Sequence, residues 1–326
     1  MSILEVNNLK VSFHTVMGKV EAVKGVDLKV NSGEVIGVVG ESGSGKSVTS
    51  LAIMGLINNG NGTIESGEIL LEGKNILDLK EKEMCKIRGD KISMIFQEPM
   101  TSLNPVMTIY KQLREVYKIH RPEKKNNCRG ELVDLLSKLN IPDPKSVLNK
   151  YPFELSGGLK QRIMIAMAMI CKPSIIIADE PTTALDVTTQ AEIIELLKQI
   201  KEECNSGIML ITHDLGIIAE ISQRVVVMYY GKVVEECSVH EFFDNARHPY
   251  SKDLLGAMPE NFNGRFQSIK GNVPNLYEEI KGCAYYKRCK VKSKKCKDSQ
   301  PPMVILKNGH KVRCFEYENI ETEEDK

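Results

Sequence analysis

The sequence has almost no surplus of charge. Its 44 lysines and arginines stand against 43 acidic residues, a formal net charge of +1 over 326 residues. That balance offers no bulk attraction to nucleic acid or to lipid. Long apolar runs are missing as well. No stretch reaches the roughly eighteen apolar residues of a membrane span, so none is expected. The nearest rival, 162–171, is short, lies between Lys160 and Lys172, and reads as a buried helix. The opening Met1-Ser2-Ile3-Leu4-Glu5-Val6 has no basic stretch leading into a long apolar segment, which predicts a chain without a signal peptide. No repeated unit is found. What the chain does have is a 42% apolar fraction, enough to build one large domain and a smaller one.

Apolar runs bounded by turn residues predict the elements. A partly alternating stretch at 3–13 suggests an edge strand, and 23–30 another strand ended by Asn31-Ser32-Gly33. Continuous runs at 35–39, 92–96, 175–178, 208–212 and 224–228 suit strands covered on both faces. Shorter strands are expected at 67–71 and 232–235, and helices at 159–170, 189–203 and 215–221. This alternation argues for an α/β core with a mainly parallel sheet. From about 107 to 148 the composition turns polar and helical, like an insertion between core elements. Beyond about 236 the chain reads as a small polar appendage.

Gly40-Glu41-Ser42-Gly43-Ser44-Gly45-Lys46-Ser47 follows the apolar run 35–39 and precedes a predicted helix over 46–57. In that context it is a phosphate-binding loop. Its glycines let backbone N–H groups turn around an anion, and the helix N-terminus adds a favourable field. Lys46 supplies a cation for the terminal phosphates and Ser47 an oxygen for Mg²⁺; Val48 is taken with the loop as a nucleotide-binding position. Asp179 and Glu180 follow another buried strand. The first carboxylate suits Mg²⁺, and the second suits orienting water and accepting its proton. Gln97 and His213 also follow strands, where an amide can reach Mg²⁺ and an imidazole the γ-phosphate. Ser156-Gly157-Gly158 opens a helix and forms a second anion nest. One nucleotide site does not need two nests, but a dimer in which each chain closes over the other's nucleotide does.

These motifs, with Ala184-Leu185-Asp186, occur in the order of the ATP-binding-cassette ATPases, and over about residues 1–235 the chain resembles that family. The resemblance implies a P-loop core with an edge antiparallel subdomain and a helical insertion at about 100–158. It also implies two ATP molecules held between head-to-tail subunits. Asp186 would sit on the loop that crosses between them, and Phe13 would stack on adenine. Leu159 stands where the wider family commonly has glutamine. Glu180 and His213 are both present, so the family's non-hydrolysing pattern is not evident. The insertion would dock on membrane permease subunits, with Glu98–Pro105 linking Gln97 to that surface. A soluble ABC protein acting on DNA or a ribosome is the rival, but no coiled-coil insertion, second cassette or nucleic-acid module supports it.

Over residues 236–326, His248-Pro249-Tyr250, Pro259, Gly271-Asn272-Val273-Pro274 and Gly282-Cys283 resemble the C-terminal extension of dipeptide and oligopeptide importers, including the nickel-uptake branch. That implies a prokaryotic, peripheral subunit at the cytoplasmic face of the membrane. It would pair with a homologous ATPase or with itself, and serve two permease subunits and, indirectly, an external solute-binding protein. Of nine cysteines, Cys85, Cys128, Cys171, Cys204 and Cys237 are scattered and expected to be buried or semi-buried. Cys283, Cys289, Cys296 and Cys314 crowd together near the end, separated by 5, 6 and 17 residues. The spacing is not that of a CxxC zinc knuckle, yet four thiolates can still meet around Zn²⁺ or a [4Fe–4S] core. Lys281, Lys287, Arg288, Lys290, Lys292, Lys294, Lys295 and Lys297 would offset the resulting charge. His310 could replace one cysteine as a ligand.

Overall fold

The continuous apolar runs at 35–39, 92–96, 175–178, 208–212 and 224–228 become strands, as suits a sheet covered on both faces. The computed structural model describes residues 2–57, 61–183, 185–258 and 269–319, with backbone alone at 99–100. It divides into two compact units. One comprises Met1–Leu4, Val30–Glu34 and Leu71–Ile211; the other comprises Glu5–Lys29, Val35–Leu70 and Thr212–Lys326.

In the first unit, strands Ile92–Ile95, Ile175–Asp179 and Gly207–Ile211 lie side by side and parallel. Every residue of the last two is buried. Helix Gly157–Met169 is buried over most of its surface, including Lys160, Gln161 and Arg162. Arg162 is tied down by the Leu139 carbonyl at 2.8 Å and by the Glu192 carboxylate. The polar stretch is indeed helical, as Ile109–His120, Arg129–Lys138 and Pro144–Val147. Its apolar positions Leu113, Leu132 and Leu136 are fully buried.

In the second unit, strand Val35–Val39 is wholly buried and pairs in parallel with Arg224–Tyr229. Arg224–Tyr229 pairs antiparallel with Lys232–Ser238. A second sheet holds Gly18–Asn31, Ser2–Thr15 and Gly62–Leu71 in that spatial order. The expected edge strand at 3–13 is therefore internal: its first neighbour is reached through a two-residue turn, its other neighbour from far along the chain. The C-terminal segment is more integrated than its polarity suggests. Hairpin Val304–Ile305 and Lys311–Val312 continues the main sheet, with Glu235 opposite Val312 and Glu236 opposite Lys311. Cys85 also departs from expectation. It is exposed on helix Glu81–Ile87, whereas Cys128, Cys171 and Cys237 are buried and Cys204 is half-buried. No described helix is long and apolar enough to cross a membrane.

Candidate functional site

The loop 40–47 leaves the C-terminal end of strand Val35–Val39 and enters helix Lys46–Ile53, which ends earlier than the sequence suggests. Two of its glycines are obligatory. Gly40 has φ of 150°, and a Cβ there would lie 2.2 Å from the Met228 carbonyl; at Gly45, with φ of 101°, it would lie 2.8 Å from the Ala22 carbonyl. A side chain at either position would displace the strand or its neighbour. Lys46 is buried within the loop, its Nζ donating to the Gly40 carbonyl at 2.7 Å and to the Glu41 carbonyl at 3.1 Å. Gly43, Ser47 and Ser42 are exposed, and Val48 is half-buried. His213 belongs to the same unit and is exposed. Its neighbours are fixed: the Thr212 N–H bonds to the Val38 carbonyl, and the Asp214 N–H to the Thr212 hydroxyl. Phe13 is half-buried, and a Cβ on Gly62 would lie 2.8 Å from its ring.

The first unit gathers the other residues. Asp179 is buried at the end of its strand, and Glu180 turns out of it with φ of 48°. The Glu180 N–H is fixed on the Ile211 carbonyl at 2.8 Å. Its Oε2 accepts from the Gln97 amide at 2.8 Å and from the Thr183 hydroxyl at 2.9 Å. Gln97 and Glu180, 83 residues apart, are thus brought into contact. Thr183 has no signal in the sequence beyond lying three residues after Glu180.

Ser156 caps helix Gly157–Met169, its hydroxyl accepting from the Leu159 N–H at 3.4 Å. Ser156 and Gly157 are exposed, so the nest faces outward. A Cβ on Gly158 would lie 2.7 Å from the Thr189 side chain. Thr189 in turn donates its N–H and hydroxyl to Asp186, at 3.0 and 2.8 Å. Those bonds hold the exposed Asp186 carboxyl below the usual carboxylate range. Ala184 and Pro259, landmarks of the sequence motifs, lie outside the described residues.

The four late cysteines converge. Cys283, Cys289, Cys296 and Cys314 all line one cavity of about 150 Å³, with His248, Tyr285 and Phe315 among its other walls. The Cys283 N–H bonds to the Cys296 carbonyl at 2.8 Å. Burial pushes the Cys283 and Cys314 thiols up to about 11 and raises Cys289 as well. Four of the eight basic residues around them are engaged with carboxylates. Lys287 pairs with Glu278, Lys290 with Asp253, Lys295 with Glu318 and Arg288 with Glu41. His310 does not stand in for a cysteine; its Nε2 meets the buried Glu235 carboxylate at 2.6 Å. Among the described residues, Glu235, Cys237 and His310 alone bring three ligand-type atoms within 4.8 Å of one another. The four thiols are spread more widely than that.

The family model "ABC transporter" matches residues 23–183, and "Oligopeptide/dipeptide transporter, C-terminal region" matches 234–296. The chain is similar to the oligopeptide transport ATP-binding protein AppD of Bacillus subtilis, at 47% identity over 97% of each chain. It is likewise similar to the dipeptide transport ATP-binding protein DppD of Escherichia coli, at 44% identity over 96% of each. Among solved structures it resembles the dimeric, post-hydrolysis ATP-binding cassette MJ0796 bound to ADP and Pi. There the TM-score is 0.62 at 29% identity, covering 72% of this chain and 98% of that one.

Proposed function

The chain belongs to the ABC transporter ATPases, in their oligopeptide/dipeptide branch, and on that premise we propose that it powers peptide import through a membrane permease by hydrolysing ATP in a dimer. The observation that carries the hydrolytic part is the Glu180 carboxylate. It stands at the end of a buried strand, oriented by Gln97 and Thr183. In this reading Glu180 takes the proton of the attacking water, and His213 holds the γ-phosphate and that water in line. Lys46 and the loop N–H groups cradle the phosphates, and Phe13 stacks on adenine. Ser47, Gln97 and Asp179 hold Mg²⁺, which when bound neutralises charge on the transferring phosphoryl group. The exposed Ser156–Gly158 nest and Asp186 serve the nucleotide of the opposite subunit, a homologous chain or a second copy.

Residues 1–235 form the nucleotide-binding domain, and 236–326 an extension that carries the cysteine centre. The permease meets the helical insertion, whose flanks expose Val106 (79%) and Phe153 (71%), the latter stacked on Tyr151 at 5.5 Å. Apolar side chains this exposed suit a protein contact. The subunit then sits peripherally on the cytoplasmic face of the membrane.

For the four thiols we favour a [4Fe–4S] cluster over zinc. Four sulfurs bound to Zn²⁺ at about 2.3 Å stand roughly 3.8 Å apart. No three of these sulfurs lie within 4.8 Å of one another, and the cavity between them suits a larger group. Bound iron would also favour thiolates that burial otherwise keeps protonated. About four iron and four sulfide per anaerobically purified chain are expected. One zinc without sulfide would refute the cluster and leave the ATPase untouched.

The function is tested with Glu180→Gln in proteoliposomes holding the permease and its partner ATPase. ATP turnover should fall at least about a hundredfold, and uptake of labelled di- and oligopeptides should stop, while ATP still binds. A native complex that turns over ATP but moves no peptide would overturn the import reading.

A further inference from the structure

The cysteine segment reaches the phosphate-binding loop. Arg288, next in sequence to Cys289, grips both oxygens of Glu41, Nη1 to Oε2 at 2.6 Å and Nη2 to Oε1 at 2.9 Å. The guanidinium side is almost fully buried, with 3% of the side chain exposed, and Glu41 is 28% exposed. Its third nitrogen, Nε, donates to the Lys270 carbonyl at 3.1 Å. The same loop residue is held a second time, its N–H donating to the Tyr250 hydroxyl at 2.7 Å. Glu41 is thus fixed by backbone and side chain, both from the segment after residue 248.

Behind Arg288 stand the buried rings of Tyr229, Tyr250 and Tyr285, with centroids 4.6 to 5.4 Å apart. The turn that carries Arg288 is built on the thiol residues. The Tyr286 N–H bonds to the Cys283 carbonyl at 3.0 Å, and the Arg288 and Cys289 N–H groups to the Tyr285 carbonyl at 3.0 and 2.9 Å. Cys283 and Cys289 therefore frame the turn from which Arg288 projects.

A phosphate nest that carries a carboxylate at its second position invites repulsion from the polyanion it must bind. A bidentate guanidinium cancels that charge and fixes the loop at once. We propose that Arg288 is a positioning residue of the phosphate-binding loop, acting through Glu41, and that the four-cysteine centre sets nucleotide affinity by holding Arg288 in place. The proposal rests on nucleotide binding at this loop and on the thiols sharing one bound group, and on nothing about the cargo.

The test is a fluorescence titration of the full chain with a methylanthraniloyl-ATP probe and Mg²⁺, run in a double-mutant cycle. Arg288→Ala should raise Kd roughly ten- to a hundredfold, because it leaves a half-buried carboxylate unpaired beside the phosphates. In a Glu41→Gln background the same change should matter about twofold or less. Arg288→Lys keeps the charge but loses the fork, and should fall between; it carries the test if the alanine variant does not fold. Stripping the native protein's metal with a chelator should raise Kd in the same direction, and add nothing to Arg288→Ala. A native Kd in Arg288→Ala or Arg288→Lys would overturn the proposal. So would equal losses in both backgrounds, which is how a general folding defect behaves. A native chain that fails to bind the probe at all would instead strike the nucleotide reading itself.

Discussion

Glu180 holds a left-handed backbone conformation that costs a non-glycine residue on the order of 1 kcal/mol. Its N–H bond to Ile211 maintains that turn, and Gln97 and Thr183 then aim the carboxylate. Proton transfer depends steeply on such aim, since reacting atoms must be held near contact distance. Thr183→Val removes one of the two aiming bonds with little change of shape. We expect kcat for ATP to fall about three- to tenfold with KM nearly unchanged, as read by steady-state phosphate release. An unaltered kcat would reduce Thr183 to a turn residue. Asp179, Glu180, Gln97 and His213 stand out in the sequence because each lies at the end of an apolar strand or within two residues of it. Arg288 was visible only as one basic residue among many. Its partner lies 247 positions away, and no local pattern encodes a contact of that separation.

Among the elements, the strand Lys232–Ser238 does more than its short apolar pattern announces. It carries Glu235, a fully buried carboxylate. Glu235 accepts from the backbone N–H of His248 at 3.0 Å and of Arg247 at 2.5 Å, and meets His310 Nε2 at 2.6 Å. One side chain therefore joins the main sheet to helix Pro249–Gly256 and to the loop of the C-terminal hairpin. Burial pushes the Glu235 carboxyl up, yet these bonds outweigh it and hold the group below its ordinary value. A depressed carboxylate contributes stability that is present above its unfolded value near 4.5 and is lost as pH falls through the lower folded value. Glu235→Ala should destabilise the chain by about 3 kcal/mol, with Glu235→Gln milder, in urea unfolding at neutral pH. Both variants should lose less stability than the native chain on acidification below about 4.5. If their acid sensitivity matches the native protein's, Glu235 is not the group responsible. The long buried strands were legible as continuous apolar runs. The hairpin strands Val304–Ile305 and Lys311–Val312 were not, because two residues carry no periodicity.

At the scale of the whole molecule, the proposed assignment makes one chain insufficient. The phosphate loop and the Ser156–Gly158 nest would serve different nucleotides, which gives each active site one half from each subunit. Two defects then become complementary. Lys46→Ala should abolish the loop while leaving the nest intact, and Ser156→Arg should block the exposed nest while leaving the loop intact. Each variant alone should turn over ATP at under about a hundredth of the native rate. Mixed in equal amounts and allowed to exchange, half of the dimers contain one of each. Every mixed dimer has one site assembled from two native halves, so roughly a quarter of the native rate should return. The recovered rate should also rise with total protein until dimers saturate. If the native chain turns over ATP by itself and the mixture recovers nothing, each chain completes its own site, and the head-to-tail arrangement is wrong.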